Sequence, residues 1–98
     1  MGKVKITKGK VMKTKYDFYS DAGHGWLKVK KKELVTLKIA DKITSFSYMR
    51  GEWAYLEEDD DASTFIMQKK AKGEAIVSFR EHVSNHSRIR SYDCYQLT

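Results

Sequence analysis

The sequence predicts an α+β domain: a mostly antiparallel sheet of about five to six strands with two short helices. Three observations predict it. Apolar and polar residues alternate in several short segments, two other segments change to a helical period, and turn-forming residues separate them. The predicted order is βββ-α-ββ-α-β. A chain of 98 residues is long enough for one domain, and we expect residues 1–98 to form it.

Three predicted strands open the chain, at residues 3–8, 16–19 and 26–29. In the first, lysines alternate with Val4 and Ile6, a pattern typical of an edge strand, so residues 1–15 are expected to form a basic strand or arm. The turn-forming segment 20–25 separates the other two strands.

A change to helical period predicts a helix over residues 31–39. Its expected apolar stripe consists of Leu34, Val35, Leu37 and Ile39.

Residues 43–57 predict a hairpin around Arg50 and Gly51, because glycine supplies the positive φ of a tight turn. With those two residues as the loop, Tyr48 faces Trp53. One face then carries four aromatic side chains: Phe46, Tyr48, Trp53 and Tyr55. We expect this face to be core, because large aromatic residues prefer burial. The alternative is a stacking platform for single-stranded nucleic acid.

A second helix is predicted between the acidic run and Gly73. Acids precede it and lysines lie at its end, which matches the helix dipole. Glycine follows its last residue, as is typical of a helix C-terminus. Ala62, Phe65 and Ile66 form its expected buried stripe. Residues 75–83 then predict the last clear strand.

The composition is that of a folded, basic protein. Hydrophobic residues make up 41% and charged residues 33%, a balance typical of globular proteins rather than disordered chains. No apolar run approaches the ~18 residues of a membrane helix, and the start lacks the apolar stretch of a signal peptide. Cys94 is the only cysteine, which excludes an internal disulfide. We therefore expect a cytoplasmic protein.

Charge is strongly segregated along this chain of net charge +6. Residues 52–61 are acidic and contain no base, whereas residues 1–15 are lysine-rich and contain no acid. The acidic run has a structural interpretation, as the solvated start of a helix. Its length also suits contact with a basic partner. The predicted partner-binding residues are Glu57, Glu58, Asp59 and Asp60, with a second contact formed by Arg88, Arg90 and Tyr92.

The lysines have two interpretations, protection of a sheet edge and contact with a phosphate backbone, and the pattern alone does not separate them. For the second interpretation, the predicted nucleic-acid contacts are Lys3, Lys5, Lys8, Lys10, Lys13, Lys15, Lys28, Lys30, Lys31 and Lys32.

Catalytic and metal motifs are weak. His24, His82 and His86 are the only residues that resemble a metal set, and they lack zinc-site spacing. Cys94 with His86 would need a third group that the sequence does not supply. The loop 21–25 lacks the lysine and hydroxyl of a P-loop. We expect no cofactor, no metal site and no enzymatic activity; a small hydrolase or nuclease built on His24, His82 or His86 is a third alternative.

Four segments together resemble a group of small proteins from bacteriophages and other mobile elements. They are Ser20–Val29, Ala40–Ile43, Tyr55–Asp59 and Arg88–Asp93. The resemblance implies a setting, action inside a bacterial host cell, and no particular mechanism. Small proteins of such elements often bind a host machine without chemistry.

The leading hypothesis is therefore a non-enzymatic binding protein that inhibits or redirects a host protein or nucleoprotein complex, plausibly a defence complex such as CRISPR. The alternative is a protein that binds DNA or RNA directly through its lysine-rich N-terminus.

Overall fold

The computed structural model describes residues 15–74 and 78–97. Its elements are β1 (Lys15–Ser20), β2 (Gly25–Lys30), α1 (Lys31–Thr36), β3 (Tyr48–Arg50), β4 (Trp53–Glu57), α2 (Asp61–Ala71), β5 (Ser78–Val83) and β6 (Asp93–Cys94). Two 3-10 turns add to these, at Ala40–Lys42 and Arg88–Ser91. The predicted α+β class is confirmed. The predicted strand over residues 3–8, most of the basic arm and the start of the predicted strand 75–83 lie outside the described residues.

The six strands form one sheet in the order β5-β1-β2-β4-β3-β6. Every neighbouring pair is antiparallel except β1 with β5, which pair parallel from Lys15–Ser78 to Ser20–Val83. Hairpins force antiparallel pairing, whereas β5 reaches the edge after a long connection that includes α2, which allows a parallel pair. The prediction of a mostly antiparallel sheet therefore holds, with one parallel edge.

Both helices cover the same face of the sheet. Leu27 and Leu56 from the central strands are buried against Leu34 of α1 and Phe65 of α2. Because successive side chains of a strand point to opposite faces, Trp26, Lys28 and the residues paired with them lie on the other face of the sheet. The position of the helices thus defines a covered face and an open face.

A polar network ties the helices to the sheet on the covered side. The Tyr16 hydroxyl donates to Glu33 Oε2 at 2.7 Å, and Lys69 Nζ donates to the same oxygen at 2.7 Å. Lys69 also donates to Glu74. Lys69 is only 5% exposed. Its charge can lie between β1, α1 and α2 because these carboxylates form hydrogen bonds with it.

Helix α1 ends earlier than the predicted residue 39. Lys38 adopts a left-handed conformation with φ of 62°, and the amide of Ile39 donates to the Leu34 carbonyl. This is a Schellman closure, which reverses the chain and returns Ile39 to the core. The prediction that Val35 belongs to the buried stripe is wrong, since Val35 is 65% exposed.

The predicted hairpin register is also wrong, because the turn lies one residue later in the chain than predicted. Tyr48 faces Tyr55 and Arg50 faces Trp53, so the loop is Gly51 with Glu52. Gly51 has φ of 59° as the first loop residue, the requirement of a type II′ turn. Tyr48, Trp53 and Tyr55 still share one face.

The predicted strand from residue 43 is shortened because a turn precedes β3. The Asp61 carboxylate accepts from the amide and hydroxyl of Thr44 and from the Ser47 hydroxyl, which holds this turn against the start of α2. Phe46 consequently leaves the predicted aromatic face and is 74% exposed.

Candidate functional site

The open face of the sheet carries a dense group of aromatic and cationic side chains. Its members, by strand alternation and pairing, include Asp17, Tyr19, Trp26, Lys28, Lys30, Tyr48, Arg50, Trp53, Tyr55, Arg80 and His82. The segment Ser87–Tyr92 lies on this face, where Ile89 packs with Trp26 and Tyr55. Two cavities result, which we name the Trp26 pocket and the tyrosine groove.

The Trp26 pocket has a volume of about 520 Å³, within the range of ligand sites. It is lined by His24, Trp26, Ser45, Phe46, Tyr48, Glu57, Asp60, Arg90 and Cys94. Trp26 is only 1% exposed and meets Tyr48 edge to face, at 6.1 Å between ring centroids. The pocket therefore combines a fixed aromatic wall with groups of both charges.

Asp21 clamps the arginine of this pocket. Its carboxylate accepts from Arg90 Nε at 2.6 Å and Arg90 Nη2 at 2.8 Å, and also from the Ser87 amide at 3.0 Å. The Asp21 side chain is 1% exposed. The Arg90 guanidinium, aided by the Ser87 amide, holds the pKa of Asp21 far below its usual range. The clamp joins the β1–β2 loop to the segment 87–91.

His24 is oriented by the same arginine. Arg90 Nη2 lies 2.9 Å from His24 Nδ1, and because arginine only donates, Nδ1 accepts and the ring proton belongs on Nε2. The imidazole stacks on Trp26 at 5.9 Å, and the Arg90 guanidinium lies 5.6 Å from the Trp26 ring. A side chain at Gly23 would come within 3.2 Å of Arg90, so glycine permits this close approach.

Glu57 and Asp60 supply the acidic lining of the pocket. Glu57 Oε1 accepts from the Asp60 amide at 3.1 Å, which fixes the turn between β4 and α2. Glu58 and Asp59 are exposed on the same turn but do not line the pocket. Asp61, in contrast, is buried and serves the Thr44 turn. The acidic run therefore divides into solvent-facing acids and one buried structural carboxylate, Asp61.

The pocket brings together residues from both predicted partner contacts. Glu57 and Asp60 come from the acidic run, and Arg90 comes from the C-terminal segment. Arg88 and Tyr92, the other members of that second contact, line the tyrosine groove instead.

The tyrosine groove has a volume of about 730 Å³ and runs along the open face beside β5. Tyr19 stacks on His82 at 4.5 Å with an interplanar angle of 14°, and Tyr55 packs against Tyr92 at 5.1 Å. Burial, followed by the neighbouring tyrosines, raises the pKa of Tyr55 to about 12. Lys28 and Arg88 also line the groove. Tyr19, whose pKa burial also raises, and Tyr55 are therefore neutral rings beside two cations at neutral pH.

The predicted nucleic-acid lysines are spread over different surfaces. Lys28 Nζ and Lys30 Nζ lie 4.3 and 5.1 Å from the centroid of the Trp53 ring on the open face. Lys31 and Lys32 begin α1, and Lys15 begins β1. The other five predicted contacts, Lys3, Lys5, Lys8, Lys10 and Lys13, lie outside the described residues.

The three histidines do not come together. His24 lies in the Trp26 pocket, whereas His82 and His86 both line the tyrosine groove, where His82 contacts Asp17 Oδ1 through Nε2 at 3.0 Å. Within residues 15–74 and 78–97, no group of three or more His, Cys, Asp or Glu residues could hold a metal ion. Cys94 and His86 line different cavities, so they do not form a nucleophile–base pair.

Sequence reasoning missed Asp21, which positions both Arg90 and His24. Three of the segments singled out in the sequence meet at this site. Ser20–Val29 supplies the aspartate and His24, Tyr55–Asp59 supplies Glu57, and Arg88–Asp93 supplies Arg90. Segments distant in sequence thus converge on one pocket.

No known protein family, no curated protein sequence and no solved structure matches this chain at a significant level. None of the helices in the described residues is long and apolar enough to cross a membrane. The functional proposal therefore rests on the geometry of the pocket and the groove.

Proposed function

We propose that this protein is a non-enzymatic binding protein that holds a partner protein at the Trp26 pocket. The observation that supports the proposal is the meeting of Glu57, Asp60 and Arg90 in one cavity. A site with both charges in fixed positions suits recognition, because complementary charges set specificity and the rate of association.

The pocket also has the features of a protein-binding anchor. Phe46 lies on its lining and is largely exposed, and an exposed aromatic side chain beside a pocket is typical of interface hot spots. Asp59 extends the acidic rim into solvent, whereas exposed Glu58 lines a separate cavity on the covered side. The surface therefore fits a basic partner surface that offers an apolar recess to Phe46.

The proposed biological role is inhibition or redirection of a host protein by a phage or mobile-element protein inside the bacterial cell. A basic, nucleic-acid-binding groove of a host nucleoprotein complex, such as a CRISPR effector, has the charge that the acidic rim requires. Occupation of that groove by Glu57, Asp59 and Asp60 would compete with nucleic acid stoichiometrically and without chemistry.

The test compares two charge reversals on the intact protein. Asp60→Lys changes the rim of the Trp26 pocket, and Glu81→Lys changes an exposed acid of β5 that lines a different cavity. A partner is identified by cross-linking in host cells, and its affinity for each variant is measured by calorimetry. We expect at least tenfold weaker binding for Asp60→Lys, equivalent to about 1.4 kcal/mol, and little change for Glu81→Lys. Equal affinities for both variants would show that the pocket is not the contact.

Direct nucleic-acid binding through the N-terminal lysines is the second proposal. It is supported within the described residues by Lys28 and Lys30, which share the open face over Trp53. A gel shift with single- and double-stranded DNA and RNA at ~50 and ~200 mM salt, before and after removal of residues 1–14, tests the contribution of the arm. Binding that survives this truncation unchanged would assign the nucleic-acid surface elsewhere.

A further inference from the structure

We propose that the tyrosine groove is a binding site for single-stranded nucleic acid, separate from the Trp26 pocket and independent of the N-terminal lysines. The proposal rests on three properties of the described residues: the aromatic lining, the sign of the charge and the shape of the site.

The half-buried rings of Tyr19, His82 and Tyr92 supply faces for bases, whereas Tyr55 is buried and supports Tyr92. Tyr19 and His82 form one stacked pair, and Tyr55 with Tyr92 forms another beside it, with 6.2 Å between the ring centroids of Tyr19 and Tyr55. All four side chains line one groove. Stacking of bases on aromatic side chains is the general way in which proteins bind single strands, on sheets above all.

The charge of the groove is that of a phosphate-binding surface. Lys28 and Arg88 line it, and none of the described residues that line it is acidic. Neither of these cations forms an ion pair with a described residue. Arg50 adds a third charge at the margin, 5.1 Å from the Tyr92 ring. The groove therefore attracts the polyanion that the acidic lining of the Trp26 pocket repels.

The shape favours single strands over duplexes. The rings lie in a concavity between the sheet and the segment 87–92, where half-buried Tyr19 and Tyr92 are reached from one side. Bases paired and stacked inside a duplex cannot enter such a cavity, whereas unpaired bases can be splayed into it. Because stacking on aromatic rings is tolerant of base identity, we expect little dependence on sequence.

The experiment measures binding of a dye-labelled ten-nucleotide oligo(dT) to the full chain by fluorescence anisotropy at ~50 mM salt. The double variant Lys28→Ala/Arg88→Ala removes the cations of the groove. Its matched control, Lys70→Ala/Lys72→Ala, removes two exposed lysines at the end of α2 on the covered side. Both variants change the net charge equally, so the comparison isolates position.

We expect the groove variant to bind at least tenfold more weakly and the control to bind within twofold of the unmodified protein. The log–log salt slope should fall by about 1.4 in the groove variant, since each lost contact with a single strand removes about 0.7. A duplex of the same length should bind more weakly than the single strand.

A second pair of variants tests the stacking directly. Tyr92→Phe keeps the ring and should retain binding, whereas Tyr92→Leu should weaken it by about fivefold or more, because it removes one base–ring contact. Circular dichroism of both variants establishes that the fold is retained. Asp60→Lys serves as the control from the Trp26 pocket and should not weaken oligonucleotide binding. Failure of the protein-partner proposal can therefore be distinguished from failure of this one.

Three results would overturn the proposal. The first is no binding of oligo(dT) at ~50 mM salt. The second is equal weakening by the groove variant and its lysine control, which would assign binding to net charge or to the N-terminal lysines. The third is that a poly-glutamate peptide of equal charge competes as effectively as unlabelled oligonucleotide. That result would indicate an acidic protein partner.

Discussion

Asp21 has the largest structural role of any single side chain on the open face. Its carboxylate accepts from the side chain of Arg90 and from the amides of Gly23, His24 and Ser87. Hydrogen bonds to a carboxylate stabilise its charged form, so the folded state holds this proton far less tightly than the unfolded state does. The orientation of Arg90 and His24 in the Trp26 pocket thus depends on the ionisation of one residue.

The first prediction concerns the dependence of stability on pH. The pKa of Asp21 is depressed on folding, so its contribution is fully present above the unfolded value of about 3.9 and is lost as pH falls below it. We expect Asp21→Asn to have a lower melting temperature than the unmodified protein at pH 7. The difference should shrink as pH falls from about 4 to 2.

Thermal unfolding followed by circular dichroism across this range measures the effect. Asp59→Asn is the control, because Asp59 is exposed and its side chain forms no hydrogen bond with a described residue. A difference between Asp21→Asn and the unmodified protein that stays constant down to pH 2 would contradict the assignment.

The β3–β4 hairpin is the element in which local chemistry decides which side chains face the ligand surfaces. Its turn requires a positive φ at Gly51, and this places Tyr48 opposite Tyr55. Turn geometry sets hairpin register. The placement of Tyr48 in the Trp26 pocket and of Tyr55 in the tyrosine groove therefore depends on one glycine.

The second prediction tests that turn. Gly51→Ala should destabilise the protein by about 1–2 kcal/mol, because a left-handed conformation is costly for a residue with a Cβ atom. No heavy atom of the described residues lies within 4 Å of a Cβ at this position, so the cost is conformational and not steric. Gly51→Asn should lose less, since asparagine tolerates this region. Urea unfolding measures both, and equal losses for the two variants would argue against a conformational cause.

At the scale of the whole molecule, the sheet separates the hydrophobic core from the two cavities of the open face. The covered face holds the aliphatic core and the Tyr16–Glu33–Lys69 network, and the open face holds the pocket and the groove. Burial opposes the charge of Lys69, but hydrogen bonds to Glu33 and Glu74 outweigh it and raise the pKa of this lysine. Burial and the Glu33 hydrogen bond raise the pKa of the Tyr16 hydroxyl as well.

The third prediction follows from these raised pKa values. Both groups hold their protons more tightly in the folded state, so their stabilisation is fully present below about pH 10 and is lost as pH rises through the folded values. We expect the melting temperature to fall steeply above about pH 10. Lys69→Met should lower the free energy of unfolding by about 1–2 kcal/mol at pH 7, because the carboxylates left without a partner are partly exposed. The same variant should show a shallower fall of the melting temperature above about pH 10.

Lys70→Met is the matched control, since Lys70 is the exposed neighbour of Lys69 on α2. An alkaline profile that is equally steep in both variants would place the titration elsewhere in the protein.

Much of the fold was predictable because period and turn chemistry are local. Alternation in 16–19 and 26–29 predicted β1 and β2, and the charge order around α2 predicted that helix. The errors arose where a distant contact decides the local conformation. Residues 43–47 alternate like a strand, but the Asp61 carboxylate holds Thr44 and Ser47 in a turn.

The candidate site was predictable only in part. The sequence pointed to Glu57, Asp60 and Arg90, but as two separate contacts. It did not predict that they line one pocket or that Asp21 orients the arginine. It also did not predict the division of the aromatic residues. Tyr55 is buried, as the core interpretation expects, but it lines a groove on the open face with Tyr92.

By itself the sequence determined the fold class, the two helices and the segregation of charge, because periodicity and composition act over a few residues. Tertiary structure alone decided which residues meet. Asp21 and Arg90 are 69 positions apart in the sequence, and Tyr19 and His82 are 63 positions apart. The return of the segment 87–92 over the sheet brings the first pair together, and the strand order β5-β1-β2-β4-β3-β6 brings the second together. The physical reason is that a binding site is a property of packing, which no local pattern contains.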